Sequence, residues 1–171
     1  NSETTLPNEI TLFVKNIDEN DTSGDIITST NNSNLVEDIQ NMAEGSTAHI
    51  YYGNGATISA DVFEAIKGQN KTIALKSDGI EWIFNGQDVT DENIKKIDLT
   101  TSIEAKWNSD SDAAEGIDWE QNALILSFAE NGKLPAPATI RIKADWVFKD
   151  AVGTENLYVY YYDNTTKEYV Q

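Results

Sequence analysis

The stretch DVFEAIKGQNKTIALKSDGIEWIFNGQDVT, residues 61–90, decides the fold that the sequence predicts. Its first part is typical of a short helix, because Asp61 and Glu64 form a capping-box pattern. Three apolar side chains then lie on one helical face, namely Val62, Phe63 and Ile66. Gly68 can adopt the left-handed conformation that ends a helix. The stretch therefore begins with one short amphipathic helix.

Two strands joined by a tight turn follow this helix. Residues 72–76 and 80–84 carry apolar side chains at alternate positions, as strands with one buried face do. Asp78-Gly79 is typical of a two-residue hairpin, because a type I′ turn needs positive φ at both central positions. Asn85-Gly86 predicts a second turn. The stretch thus specifies a compact fold and contains no catalytic motif.

A second helix is predicted upstream, over residues 35–44. Its apolar side chains form one continuous stripe, made of Leu35, Val36, Ile39, Met42 and Ala43. Asn34 with Glu37 is a capping pattern, and Gly45 is a stop signal. A strand is predicted for residues 47–52, so the order of helix, glycine and strand occurs twice in the chain.

The first 34 residues are predicted to be an N-terminal strand and a polar loop, which extend the domain or link it to a neighbour. Residues 9–17 alternate as a strand does. Residues 18–34 consist mainly of turn and loop residues, with one apolar pair at Ile26-Ile27. Residues 35–171 then form the main domain, and a chain of this length buries enough surface to need no disulfide.

Five further strands are predicted downstream of the hairpin. They cover residues 97–107, 123–129, 140–148, 157–162 and 168–170. The period-two alternation in the first and third of them predicts sheets with one buried and one solvated face, and hence mainly antiparallel pairing. The predicted fold class is α+β, mainly antiparallel β and sandwich-like, with about eight strands and two short helices.

Five stretches occur in an order that resembles a known module: NMAEGSTAHIYY (41–52), ADVFEAIKGQNKTIALK (60–76), IEWIFNGQDVT (80–90), PATIRIKA (137–144) and NLYVYYYDNTTKEYV (156–170). The chain is similar there to a module repeated in large secreted and cell-surface proteins of anaerobic Gram-positive bacteria. The resemblance covers residues 35–171. It implies an extracellular domain with no established activity of its own, beside other domains of the same surface protein. Residues 108–122 depart from the pattern, because this segment is longer and more acidic.

His49 is the only histidine, and its sequence context does not favour catalysis. A serine triad would need it as the base, together with a buried carboxylate and an activated serine. No GxSxG-like elbow occurs in the chain, so we interpret His49 as a surface or half-buried strand residue. One histidine without any cysteine cannot supply a zinc site. We predict no catalytic residues, no metal site and no cofactor.

Two acidic clusters contain oxygen ligands that suit calcium. One comprises Asp18, Glu19, Asn20, Asp21 and Asp25, and the other Asn108, Asp110, Asp112 and Glu115. The second cluster lacks the glycine and the glutamate that complete an EF-hand loop. A carboxylate pair would suit a glycosidase, but 29 acidic residues offer many pairs and nothing selects one. Solvated loops are therefore the favoured interpretation, with calcium binding and hydrolysis as alternatives.

The aromatic residues divide into two groups. Three tryptophans lie on apolar strand faces and are predicted to be core residues: Trp82, Trp107 and Trp146. Four other residues are candidate ligand contacts: Trp119, Tyr158, Tyr160 and Tyr162. Trp119 lies in the acidic segment, and the three tyrosines share one strand face. Exposed rings of this kind stack on sugars, which makes a carbohydrate-binding module the alternative function.

The favoured function is a non-enzymatic extracellular module of a bacterial surface protein, acting as a spacer, adhesion or protein-interaction unit. Its partners would be other domains of the same protein and a host or cell-wall protein or glycan. The net charge of −17 opposes binding to nucleic acid and to anionic membranes. No apolar run is long enough to span a bilayer, and we expect a monomer.

Overall fold

The computed structural model describes residues 9–13, 25–53, 57–106, 123–129, 133–144, 147–148, 161–163, 166 and 168–170. Two helices and twelve strands lie in this part of the chain, and the predicted α+β class, mainly β, is confirmed. Eight of the strands have four or more residues. Five of the eight strand pairings are antiparallel.

Both helices lie in the first half of the chain. The strands are β1 (Glu9–Phe13), β2 (Ile26–Ser29), β3 (Thr47–Tyr51), β4 (Thr57–Ile58), β5 (Thr72–Ser77), β6 (Ile80–Asn85), β7 (Ile97–Asp98), β8 (Thr101–Lys106), β9 (Ala123–Phe128), β10 (Ala138–Lys143), β11 (Tyr161–Asp163) and β12 (Glu168–Val170). The helices are α1 (Leu35–Asn41) and α2 (Ala60–Glu64), and a 3₁₀ turn covers Gly86–Asp88.

A six-stranded mixed sheet forms the centre of the fold, in the order β1-β10-β6-β5-β3-β2. The pairs β2–β3, β3–β5 and β1–β10 are parallel, whereas β5–β6 and β6–β10 are antiparallel. The parallel pairs were not predicted from the alternation of side chains. They arise because α1 connects β2 to β3 and α2 lies between β3 and β5, and parallel neighbours need such crossover connections. The described structure also contains three two-stranded sheets, namely β4–β7, β8–β9 and β11–β12.

The core lies between one face of this sheet and the two helices. Ile39 of α1 and Phe63 of α2 are fully buried there. The Phe63 ring meets the Phe84 ring of β6 edge to face, with centroids 5.1 Å apart. The β8–β9 hairpin adds to the same core, because the Phe128 ring lies 5.4 Å from the ring of Trp82. The prediction that Trp82 is a core residue is confirmed, since it is 3% exposed; Trp107 and Trp146 lie outside the described residues.

The helix starts differ from the predicted capping patterns. Ser59 caps α2, because its hydroxyl oxygen accepts a hydrogen bond from the Asp61 N–H at 3.3 Å. The N-cap is therefore Ser59 rather than Asp61, and the predicted capping box is not formed, because the residue three positions after Ser59 is Val62. The side chain of Asn34 makes no cap bond to α1. The Asn32 side-chain oxygen instead accepts from the Asn34 N–H at 3.0 Å, which organises the turn before the helix.

The predicted glycine punctuation is present, with one difference. Gly68 after α2 and Gly79 in the β5–β6 turn have φ values of 69° and 75°, which β-carbon-bearing residues rarely adopt. The turn predicted at Asn85-Gly86 is present, as a 3₁₀ turn rather than a turn with a positive-φ glycine. The Asn85 side-chain oxygen accepts from the Gln87 N–H at 2.9 Å and thereby starts the 3₁₀ turn.

Several predicted boundaries differ: α1 ends at Asn41 rather than at residue 44, and β10 covers Ala138–Lys143 rather than residues 140–148. Two further differences have local reasons. The strand predicted for residues 97–107 is divided into β7 and β8, because the Asp98 carboxylate accepts hydrogen bonds from both the N–H and the hydroxyl of Thr100. This local turn competes with a continuous ladder. The loop predicted for residues 18–34 contains β2, which starts at the apolar pair Ile26-Ile27.

A buried lysine immediately before β5 forms hydrogen bonds to the end of α1. Lys71 is 5% exposed, and its ammonium donates to the backbone oxygens of Gln40 at 2.7 Å and Ile39 at 3.4 Å. These carbonyls belong to the last turn of α1, where a cation also complements the helix dipole. The contact thus satisfies carbonyl groups that the helix itself leaves free.

Replacing Lys71 by methionine is expected to lower the free energy of unfolding by about 1.5–3 kcal/mol, the usual contribution of hydrogen bonds to a charged group. Urea denaturation measures this loss. Lys67→Met is the matched control, because Lys67 makes only a partly exposed pair with Glu64 at 3.7 Å, and its expected effect is below about 0.5 kcal/mol. Equal effects of the two substitutions would contradict a specific role for Lys71.

Candidate interaction surface

The face of the large sheet that points away from the helices carries a row of charged side chains. Glu81 of β6 is 2% exposed and lies between two cations on the neighbouring strands. Its carboxylate is 3.4 Å from the Lys76 ammonium and 3.3 Å from the Arg141 guanidinium. The strand register places all three residues side by side. The two cations therefore compensate the charge of this carboxylate and fix its position.

The same face carries an aspartate–histidine pair at its other side. His49 Nε2 lies 3.2 Å from one Asp25 oxygen, and the other Asp25 oxygen accepts from the Thr47 N–H at 2.7 Å. His49 has a side chain that is 19% exposed, so the prediction of a half-buried strand residue is confirmed. Its neighbours in the register are Ile27 and Ala74, which offer no nucleophile. The pair therefore links the residue that precedes β2 to strand β3.

Strand β2 forms one edge of the sheet within the described part of the chain. Ile27 of this strand is 61% exposed, and Tyr51 of the adjacent β3 is 45% exposed. Both side chains lie on the face opposite the helices, because Ile27 pairs with His49 and Tyr51 lies two residues further along β3. The Lys76 ammonium lies 5.9 Å from the centre of the Tyr51 ring. We call Ile27, Tyr51 and the backbone of β2 the edge surface.

A cleft runs beside the edge surface, between β2 and α1. It is open to solvent, has a volume of about 490 Å³, and is lined by Ile26, Ile27, Thr28, Asn32, Asp38, Asn41 and Met42. The Asn32 side-chain amide connects two other lining residues, because it donates to the Thr28 hydroxyl at 2.9 Å and to the Asp38 carboxylate at 2.8 Å. The lining thus comprises three apolar and four polar residues, of which one is a carboxylate.

The side chains with shifted pKa values belong to the core or to turns. Burial raises the pKa of the Tyr52 phenol to about 12, and the adjacent Trp82 side chain opposes this rise. Hydrogen bonds from the side chain and the backbone of Thr100 lower the pKa of Asp98. A backbone hydrogen bond from Asn93, followed by the contact with Lys133, lowers the pKa of Asp91. The two aspartates are therefore held ionised as acceptors in turns.

The predicted ligand contacts lie outside what the structure describes. Trp119, Tyr158 and Tyr160 are not among the described residues, and for Tyr162 only the backbone is described, as part of β11. The acidic cluster at residues 108–115 and most of that at residues 18–25 are outside as well. Asp25 is described, and it contacts His49 and Thr47. Among the described residues no group of three metal-ligating side chains comes together.

The edge surface was missed from the sequence, although the sequence contains a signal for it. Residues 26–30 read IITST, in which four of five residues are β-branched and favour strands. The flanking serine, asparagine and aspartate residues outweighed this short run and suggested a loop. What the sequence alone does not contain is the position of the strand at an edge, which depends on the pairing of β2 with β3 only.

Comparison of the chain with protein-family models, with curated proteins and with solved structures finds no match in any of the three. The resemblance to a surface-protein module therefore stays a prediction. In the part of the chain that the structure describes, neither helix has the length and apolar character needed to cross a membrane.

Proposed function

We propose that the chain is a non-enzymatic interaction module of a bacterial surface protein, and that the edge surface is the part that contacts a partner. One observation carries the proposal. Ile27 and Tyr51 are the exposed large apolar side chains of the described structure. Ile27 lies on β2, an edge strand of the described sheet, and Tyr51 lies on the same face of the adjacent β3. Clustered apolar groups at a sheet edge mark interaction sites more often than scattered ones do.

The charged groups around the edge surface support binding rather than chemistry. Glu81 is held between Lys76 and Arg141, and Asp25 is engaged by His49 and Thr47. A catalytic acid or base needs a reactive group that is free to meet a substrate in a closed site. Here both carboxylates are engaged by neighbouring groups of the sheet, and the adjacent cleft is open to solvent.

The extracellular location and the roles as spacer or adhesion unit belong to the same proposal. They rest on the resemblance of residues 35–171 to a repeated surface module and on the acidic, cysteine-free composition. We propose a monomer whose partners are neighbouring domains or cell-surface proteins. Its charge of −17 makes nucleic acid an unfavourable partner.

Site-directed photo-crosslinking tests the proposal. A benzophenone amino acid replaces Tyr51, and the labelled protein is irradiated with the exported proteins of the cells that produce this chain. The matched control carries the same group at Gln87, which is exposed in the 3₁₀ turn after β6. We expect discrete adducts from position 51 that position 87 does not give. Identical adduct patterns, or none, would contradict a role for the edge surface.

A substrate panel tests the non-enzymatic part of the proposal. We expect no turnover of glycan, peptide or ester substrates above that of a heat-denatured sample. Turnover that a single acid-to-amide substitution abolishes would overturn it. The carbohydrate-binding alternative, with Trp119, Tyr158, Tyr160 and Tyr162 as contacts, remains a prediction that a glycan array can address.

A further inference from the structure

We propose that the free edge of β2 binds an extended, cationic peptide segment of the partner protein by strand addition, with side chains of that segment in the cleft between β2 and α1. This inference rests on the proposed interaction function and names the chemical class of the partner. It uses the backbone of β2, the apolar residues beside it and the charge of the surrounding chain.

The backbone of β2 has unpaired groups on its outer side. Thr30 N–H donates to the Tyr51 carbonyl of β3 at 3.0 Å. Alternate residues of a strand direct their backbone groups to the same side, so those of Thr28 also face β3. The Ser29 carbonyl accepts from the Asn32 N–H at 3.0 Å. The N–H and C=O groups of Ile27 and the N–H of Ser29 then face outward, where the described structure contains no partner strand. These groups form the template that an added strand needs.

The side chains of β2 do not protect this edge. Natural proteins usually block an edge strand with a charged residue, a proline or a bulge. Strand β2 reads Ile-Ile-Thr-Ser and contains no charged residue and no proline. Ile27 is 61% exposed on one side of the strand, and the cleft with Ile26 and Met42 opens on the other. Alternate side chains of an added strand would therefore meet apolar groups on both sides.

The charge around this edge selects a cationic partner. Residues 16–66 contain nine acidic residues and neither lysine nor arginine. Asp38 lies in the cleft lining, and Glu37 and Glu44 are exposed on and after the same helix. The nearest lysines are engaged, because Lys71 is buried against α1 and Lys76 contacts Glu81. On the cleft side of β2 an approaching lysine- or arginine-rich segment therefore meets acidic groups, whereas Lys76 lies on the opposite face beside Tyr51.

The same charge argues against a second copy of this chain as the occupant. Two copies of a chain with a net charge of −17 repel each other. A basic strand from another protein avoids this repulsion.

Peptide binding measured by fluorescence anisotropy tests the inference. The probe is a labelled peptide of about nine alternating lysine and valine residues, a usual strand length. One control peptide has glutamate in place of lysine. Another keeps the sequence and charge but carries N-methyl groups on the backbone nitrogens of alternate residues, which removes the donors along one edge. We expect the unmodified cationic peptide to bind, and each control to bind at least about tenfold more weakly.

Variants of the protein locate the site. Ile27→Lys adds a positive charge to the site, and Ile27→Pro removes the outward N–H at a position where an edge strand tolerates proline. Both are expected to weaken peptide binding about tenfold. Gln87→Lys carries the same charge change three strands away and is expected to alter it less than about twofold. Circular dichroism melts establish that each variant is folded.

Every outcome is decisive for strand addition at β2. Equal binding of the N-methylated and unmodified peptides would indicate unspecific charge attraction and would overturn the inference. So would an absence of binding, or binding that the Ile27 variants leave unchanged. If this test fails while the position-51 crosslinks persist, the interaction function stands and only the strand-addition mode is lost.

Discussion

Gly86→Ala is expected to lower the free energy of unfolding by about 3 kcal/mol or more, the upper range for introducing atoms into a filled site. Gly86 is buried, and a β-carbon at this position would overlap the backbone carbonyl of Ile66 and lie 2.7 Å from that of Gln69. Backbone atoms cannot turn aside as a side chain can. The Gly86 N–H also donates to the Lys71 carbonyl, and its own carbonyl accepts from the Gly68 N–H, both at 2.8 Å.

Denaturant unfolding followed by tryptophan fluorescence measures this loss. Gly53→Ala is the matched control, because a β-carbon there meets no atom within 4 Å, and a change within about 0.5 kcal/mol is expected. A Gly86→Ala protein as stable as the Gly53→Ala protein would show that the 3₁₀ turn does not pack against the end of α2 as described.

Glu81→Gln is expected to cost about 2–3 kcal/mol of stability. The substitution keeps the shape of the side chain but removes the charge that Lys76 and Arg141 face from the adjacent strands. Breaking a fully buried ion pair costs about 3–5 kcal/mol, because the remaining charge is desolvated without compensation. The expected loss is smaller here, since the Arg141 side chain is 41% exposed and water can reach it.

The control for this prediction is Glu104→Gln. Glu104 contacts Lys106 at 2.8 Å but is 59% exposed, so a loss below about 0.5 kcal/mol is expected. Replacing Glu81, Lys76 and Arg141 together by leucine or methionine should restore most of the stability, because the three charges are then removed together. If the triple replacement were less stable than Glu81→Gln, the ion-pair explanation would be wrong.

The local elements were predictable from the sequence because they depend on near neighbours. The stripe of α1, the Gly68 stop and the Asp78-Gly79 turn all follow from contacts within a few residues. The parallel pairing of β2, β3 and β5 was not predicted, because alternation of apolar side chains is the same in a parallel and an antiparallel strand with one solvated face. The order helix, glycine, strand, which occurs twice, was the available sign of crossover connections.

The candidate site was harder to predict for a different physical reason. Glu81 is one of 29 acidic residues, and only the strand register places it between two cations. Ile27 is an interaction candidate because its strand has one partner and a free side. Both properties belong to pairings between residues distant in sequence, for which composition and spacing contain no signal.

The pairing of β1 with β10 has a consequence for how the chain acquires its structure during synthesis. Glu9 lies opposite Thr139, so β1 meets its neighbour in the described sheet only after residues 138–143 have been synthesised. Strand β10 must enter between β6 and β1, and closing so large a loop is slow. Completion of the sheet is therefore a late event, and a chain that ends before β10 leaves both β6 and β1 with open edges.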